Sequence, residues 1–181
     1  QWQYRPTNEH YKSGGDLIRK VIEIRCKGGN LLLNVGPDEE GRIPAEQKGY
    51  LNELGLWYFI NKEALENVEP WHVVREEDLW FLKKKDKNTL YVFLTGDPIK
   101  YGGRRDIMLR SVMATKSTTV SVVGHDNRTL EYRPEVDGRT HFEQTDEGLK
   151  ISVFRGQRIY NDRKWPNPIV LKLEHIEQSV D

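Results

Sequence analysis

Cysteine is nearly missing from this chain. Cys26 stands alone, which excludes an internal disulfide framework and any Cys-x-x-Cys redox or metal pair, and its place in a helical pattern reads as a small core residue. Net charge is missing too: Lys+Arg and Asp+Glu both number 28, so nothing draws a polyanion to the surface as a whole and no nucleic-acid partner is expected. No apolar run approaches the roughly 20 residues of a membrane helix, so no membrane partner is expected, and no signal peptide is visible. The chain opens on Gln1 rather than Met, directly before an aromatic motif, which leaves room upstream for an export signal and a longer parent protein. Gly-rich phosphate loops, Gly-x-Ser-x-Gly, His-Glu-x-x-His and Cys/His clusters are all absent. The histidines His10, His72, His125, His141 and His175 have no mutual spacing that suggests a metal site, so each reads as exposed or locally hydrogen-bonded.

What is present is organised around Gly28-Gly29-Asn30-Leu31-Leu32-Leu33-Asn34-Val35-Gly36-Pro37. A double glycine, a solid apolar run and a closing Gly-Pro predict one short strand buried on both faces, as in parallel sheets covered by helices. Upstream, Ser13 with Asp16 resembles a capping box, and Leu17, Ile18, Val21, Ile22 and Arg25 mark an amphipathic helix stopped by Gly28. Downstream, Pro44 begins a second helix whose inner stripe is Leu51, Leu54, Trp57, Tyr58 and Asn61. Helix, buried strand and helix make a fragment of an α/β barrel or doubly wound sheet.

The texture changes after Lys62. Residues 67–74 show no period. Beyond them come short β-like runs at 79–83, 89–94, 106–111, 118–123, 129–133, 140–144, 149–154 and 169–173, separated by turn residues. That spacing predicts an antiparallel β-sandwich. The boundary falls near residues 66–74, dividing the chain into 1–66 and 67–181.

Few residues suggest chemistry. The acidic turn Asp38-Glu39-Glu40 follows the carboxyl end of the expected strand, where parallel barrels carry their active sites, yet three acids before Gly-Arg also make a common solvated turn. Trp2 and Tyr4 form either a sugar-stacking platform or anchors beneath the first helix. Arg155, Arg158, Tyr160, Arg163 and Trp165 could hold glycans or a partner protein, or could be a charged loop between the last strands. Asn127-Arg128-Thr129 is a glycosylation sequon in an expected turn.

Several of these strings recur together in one known family. Trp2-Gln3-Tyr4, Tyr11-Lys12-Ser13, Asp16-Leu17-Ile18, the run from Gly28 to Pro37, Gly41-Arg42-Ile43-Pro44 and Leu54-Gly55-Leu56-Trp57 resemble, in order and spacing, the end of the catalytic barrel of glycoside hydrolase family 29 α-L-fucosidases. Glu63-Ala64-Leu65 with Pro70-Trp71 is similar to the family's exit segment, with Lys-Glu-Ala-Leu-Glu standing where Gly-Glu-Ala-Ile-Tyr is usual. The resemblance implies the last strand and flanking helices of a TIM-like barrel in residues 1–66, then an all-β sandwich in 67–181. It implies a retaining exo-hydrolase that removes terminal α-linked L-fucose from glycans, without a cofactor, and a secreted, periplasmic or lysosomal location.

In such enzymes two carboxylates about 5 Å apart serve as nucleophile and acid/base. In the family both lie upstream of the portion seen here, so no catalytic residue is carried over to this chain. Trp2 alone transfers, as a substrate-binding residue lining the fucose subsite, with Gln3 in place of the family's glycine. The implied partners are a fucosylated glycan and the missing N-terminal barrel portion of the same protein. The reading from a different class is a non-catalytic carbohydrate-binding or structural β-sandwich module.

Overall fold

The computed structural model describes residues 4–7, 10–125, 135–156 and 167–179. Two helices come first: α1 (Gly14–Cys26) and α2 (Ala45–Asn61), followed by a single 3₁₀ turn over Lys62–Ala64. Among the described residues eight strands follow: β1 (Val68–Glu76), β2 (Leu79–Lys84), β3 (Thr89–Leu94), β4 (Arg104–Leu109), β5 (Val112–Val122), β6 (His141–Thr145), β7 (Gly148–Phe154) and β8 (Ile169–Gln178). They pair antiparallel in a five-stranded sheet of order β1-β2-β3-β8-β5 and a three-stranded sheet of order β4-β7-β6.

Alternation along each strand builds two cores. Leu79, Phe81, Leu90, Val92, Leu171 and Leu173 point from the large sheet toward Ile107, Leu109, Leu149, Ile151 and Val153 of the small one. Trp80, Leu82, Tyr91, Phe93 and Val170 point the other way and meet Ile18, Ile22, Cys26, Trp57, Ala64 and Leu65. The molecule is therefore layered as helices, large sheet, small sheet, and β3 is buried along its whole length. Trp57 fastens the helical layer, its indole Nε1 donating to the Pro168 carbonyl at 2.9 Å, while Arg19 Nε reaches the Thr95 carbonyl at 3.2 Å.

The sequence places α1 well. Ser13 and Asp16 exchange the reciprocal bonds of a capping box, and Gly28 takes φ of +82° just past the helix end. Ser13→Ala is expected to lower stability by about 1 kcal/mol, read as a shift in the thermal midpoint. Pro44 sits at the N-cap of α2 and the helix proper begins at Ala45. Of the expected inner stripe, Trp57 and Asn61 are buried, Leu51 and Leu54 are half-buried, and Tyr58 is exposed.

Three expectations need correction. Residues 30–37 form no strand and Leu31, Leu32 and Leu33 are exposed, because among the described residues no neighbouring strand offers them a ladder. Residues 67–74, expected to show no period, all but Asn67 lie within β1; it is at the edge of the large sheet, where the missing N–H of Pro70 does no harm, and its register shifts between Pro70 and Arg75. β5 begins at Val112 rather than at Thr118, its polar middle accommodated by a bulge in which Thr115 and Thr118 hydroxyls both donate to the His175 carbonyl, at 2.8 and 2.7 Å. The run expected at 129–133 lies outside the described residues.

Candidate functional site

The leucine segment between the helices is held open by polar clamps at both ends. Arg25, on the last turn of α1, donates to the Gly29 carbonyl at 3.1 Å, to Asn30 Oδ1 at 3.0 Å and to the Leu65 carbonyl at 3.2 Å. Gln47, in the first turn of α2, grips Gly36 twice: its Oε1 accepts from the Gly36 N–H at 2.9 Å and its Nε2 donates to the Gly36 carbonyl at 3.2 Å. Between these clamps Leu32 is 88% exposed, and Phe59, on α2, is 70% exposed. Ile43 and Tyr58 are exposed as well. Neither clamp was foreseen, since a side chain reaching a backbone 11 or 40 residues away leaves no local pattern.

The acidic turn closes on itself. Asp38 Oδ1 accepts from the Arg42 N–H at 2.8 Å and the Glu40 N–H at 3.1 Å, and Oδ2 accepts from Arg42 Nε at 3.1 Å. These bonds, the Arg42 N–H first, hold the Asp38 carboxyl below its ordinary range. A carboxylate so engaged is a turn-former, and Glu40 pairs with the same Arg42.

Among the described residues Glu53 is the one buried carboxylate of the helical layer, 7% exposed, and it packs onto Gly14 at the start of α1, where an added Cβ would collide with it. Burial pushes its pKa up, opposed by a hydrogen bond from Asn167 and aided by the nearby Asp16 charge. The unfolded chain therefore releases this proton first as pH rises. Stability falls between the ordinary glutamate value and the raised one, then levels off. Glu53→Gln keeps an acceptor for Asn167 and removes the charge, so the variant should melt higher than the parent at pH 7 and equally at pH 3; a lower midpoint at both would contradict the assignment.

The remaining candidates divide as follows. Trp2 lies outside the described residues, as do Arg158, Tyr160, Arg163, Trp165 and the sequon at 127–129. Tyr4 is half-buried. Arg155 turns inward, donating to the Ile99 carbonyl at 2.8 Å, and burial lowers its pKa, so it braces the sandwich instead of facing a ligand. Cys26 is fully buried and burial raises its thiol pKa far above the reactive range. Among the described residues no three His, Cys, Asp or Glu side chains come together as a metal site, and no helix is long and apolar enough to cross a membrane.

Comparison with known proteins brings these parts under one heading. The sequence model of the α-L-fucosidase family matches residues 1–63. The chain is related to the α-L-fucosidases. It is 28% identical over 129 residues to the plasma α-L-fucosidase of Rattus norvegicus, covering 68% of this chain and 28% of that protein. It is 32% identical over 126 residues to the tissue α-L-fucosidase of Bos taurus, covering 68% of this chain and 26% of that protein. The crystal structure of an α-L-fucosidase from Vibrio sp. strain EJY3 superposes with a TM-score of 0.70 at 26% identity, over 98% of this chain and 29% of that one. The chain thus spans little more than a quarter of the fucosidases it resembles. That superposition takes in the helical layer along with the sandwich.

Proposed function

We propose that this chain is the C-terminal part of a retaining, exo-acting α-L-fucosidase that releases terminal α-linked L-fucose from glycans. Residues 1–66 supply the last strand and flanking helices of the (β/α) catalytic barrel and residues 67–181 form the sandwich that carries them. The observation that carries this reading is the clamped leucine segment: a sequence with the composition of a doubly buried strand, fixed at both ends, with Leu32 88% exposed and no sheet partner among the described residues. The relatives, of which the matching stretch spans 28 and 26%, are α-L-fucosidases.

In this reading the barrel's preceding strands pair with residues 30–35 and satisfy their free backbone groups, while the barrel's helices cover Phe59 and Ile43. Trp2 lines the fucose subsite, its ring against the C6 methyl group, where an apolar face gains from excluding water. The reacting carboxylates, nucleophile and acid/base about 5 Å apart, come from the barrel portion upstream. The Asp38 turn takes no part, because its oxygens are already committed to Arg42 and Glu40. The purified 181-residue chain is therefore expected to hydrolyse no 4-nitrophenyl α-L-fucoside, and turnover by the pure chain would overturn the assignment.

A further inference from the structure

The end of the sandwich beyond the small sheet holds a groove that the proposed catalysis does not use. Along β2, Leu79 and Phe81 point into the sandwich core, and the same alternation continued past them brings Lys83 and Lys85 to the groove wall. Lys87 and Asn88 of the β2–β3 hairpin and Ile176 of β8 complete an open concavity of about 490 Å³, within the roughly 300–1,000 Å³ of small-molecule sites. Lys84, on the opposite face, turns away to the Glu63 and Glu66 carbonyls, at 3.1 and 2.9 Å. Asn88 is fixed by donating to the Ile176 carbonyl at 2.9 Å, and the one carboxylate on the wall, Asp86, accepts from Asn67 Nδ2.

Two features point to a ligand. Among the described residues Lys83, Lys85 and Lys87 have no carboxylate within ion-pair distance; Glu69 stands opposite Lys83 in the β1–β2 ladder, and of the residues lining the groove Asp86, already engaged, is the acidic one against three lysines. Trp71, which also lines the groove, is 4% exposed, and its indole Nε1–H has no acceptor among the described residues. A buried donor without a partner is costly in a folded protein, and an oxygen-rich ligand supplies what is missing.

We infer that this groove binds an acidic glycan, one whose sugar units bear carboxylate or sulfate groups, at a site separate from the fucose pocket. The lysines take the anionic groups as point charges, and Asn88 and the Trp71 indole N–H address hydroxyl and ring oxygens. The choice of a glycan over another polyanion rests on the glycosidase reading above, together with a formal net charge of zero that gives no general attraction for nucleic acid.

Calorimetric titration of the full chain with trigalacturonate and with a sulfated carrageenan tetrasaccharide tests it, with neutral galactotriose and an eight-residue oligothymidylate as comparators. At least one acidic oligosaccharide is expected to bind with a Kd of about 1 mM or below, weakening by about fivefold or more between 50 and 500 mM NaCl. Replacing Lys83, Lys85 and Lys87 together by Gln should weaken that binding by about tenfold or more with the melting midpoint unchanged, and Trp71→Phe, which keeps the ring body and loses the N–H, by about threefold. Binding of neither acidic sugar, equal binding of galactotriose, tighter binding of the oligothymidylate, or unchanged affinity in the triple variant would each overturn the proposal. None of these outcomes bears on fucoside hydrolysis, which is measured separately, so the two readings can fail independently.

Discussion

Phe93→Ala should lower the stability of the chain by about 3–5 kcal/mol by opening the core between the large sheet and the helices. Phe93 lies on β3, the strand paired on one side with β2 and on the other with β8, and its ring is fully buried. It faces the helices, 6.4 Å from the Trp57 ring in a tilted arrangement, with Ile18 and Ile22 of α1 in the same cluster. Truncation removes the transfer free energy of the ring and leaves a cavity that a strand bonded on both edges cannot collapse. A fall of about 10 °C in the midpoint is the corresponding thermal signal for a chain of this size. Phe142→Ala, on the half-open surface of β6, is the comparison and should cost far less, because that ring is already 38% exposed. Equal losses at the two positions would mean that the helices do not dock on the sheet as described.

Leu32→Asp is expected to have opposite effects on two forms of the protein. In the 181-residue chain the side chain is almost wholly in water and touches no core, so the change should leave the melting midpoint within about 0.5 kcal/mol of the parent. In the proposed parent enzyme the same residue lies between barrel core and helices, where an unpaired carboxylate is strongly destabilising, and fucosidase activity should be lost together with soluble, folded protein. Chemical denaturation of the chain and fucoside turnover of the parent enzyme check the two halves. A Leu32→Asp parent enzyme with normal activity would place this segment on the surface of the whole protein and remove the barrel assignment.

The sequence made local structure legible and left tertiary placement unresolved, for reasons visible in particular residues. α1 was readable because its signals, the Ser13–Asp16 box and the Gly28 stop, act within one turn. β3 was readable because Thr89 and Gly96-Asp97-Pro98 bound an apolar run. Two solid apolar runs end differently: Leu90–Leu94 is buried along its length, and Leu31–Leu33, expected to be buried on both faces, is exposed. The difference lies in partners: β3 has β2 and β8 beside it, and the leucine segment has none among the described residues. β1 showed no period in residues 67–74, and whether its Pro70 is tolerated depends on the strand being at an edge, which only the assembled sheet determines.

At the candidate site the pattern repeats. The Asp38 turn was open to two readings until its oxygens were seen bound to Arg42, a contact four residues away that nonetheless depends on the turn's shape. Gln47, Arg25 and Glu53 were missed because their roles are set by backbone and side-chain groups distant in the chain. The lysines of the sandwich groove belong to the continuous charged run Lys83-Lys84-Lys85-Asp86-Lys87, in which nothing local tells which side chains share a face with Trp71.

The account depends most on the claim that residues 1–66 complete a catalytic barrel whose reacting groups lie upstream. It is tested most directly by measuring 4-nitrophenyl α-L-fucoside hydrolysis by the purified 181-residue chain and by the same chain extended with the segment that precedes Gln1 in its parent protein. The account predicts no turnover by the chain alone and fucose release by the extended protein, with α-L-fucose as the first-formed anomer. Turnover by the chain alone, or an extended protein that folds and releases no fucose, would contradict it.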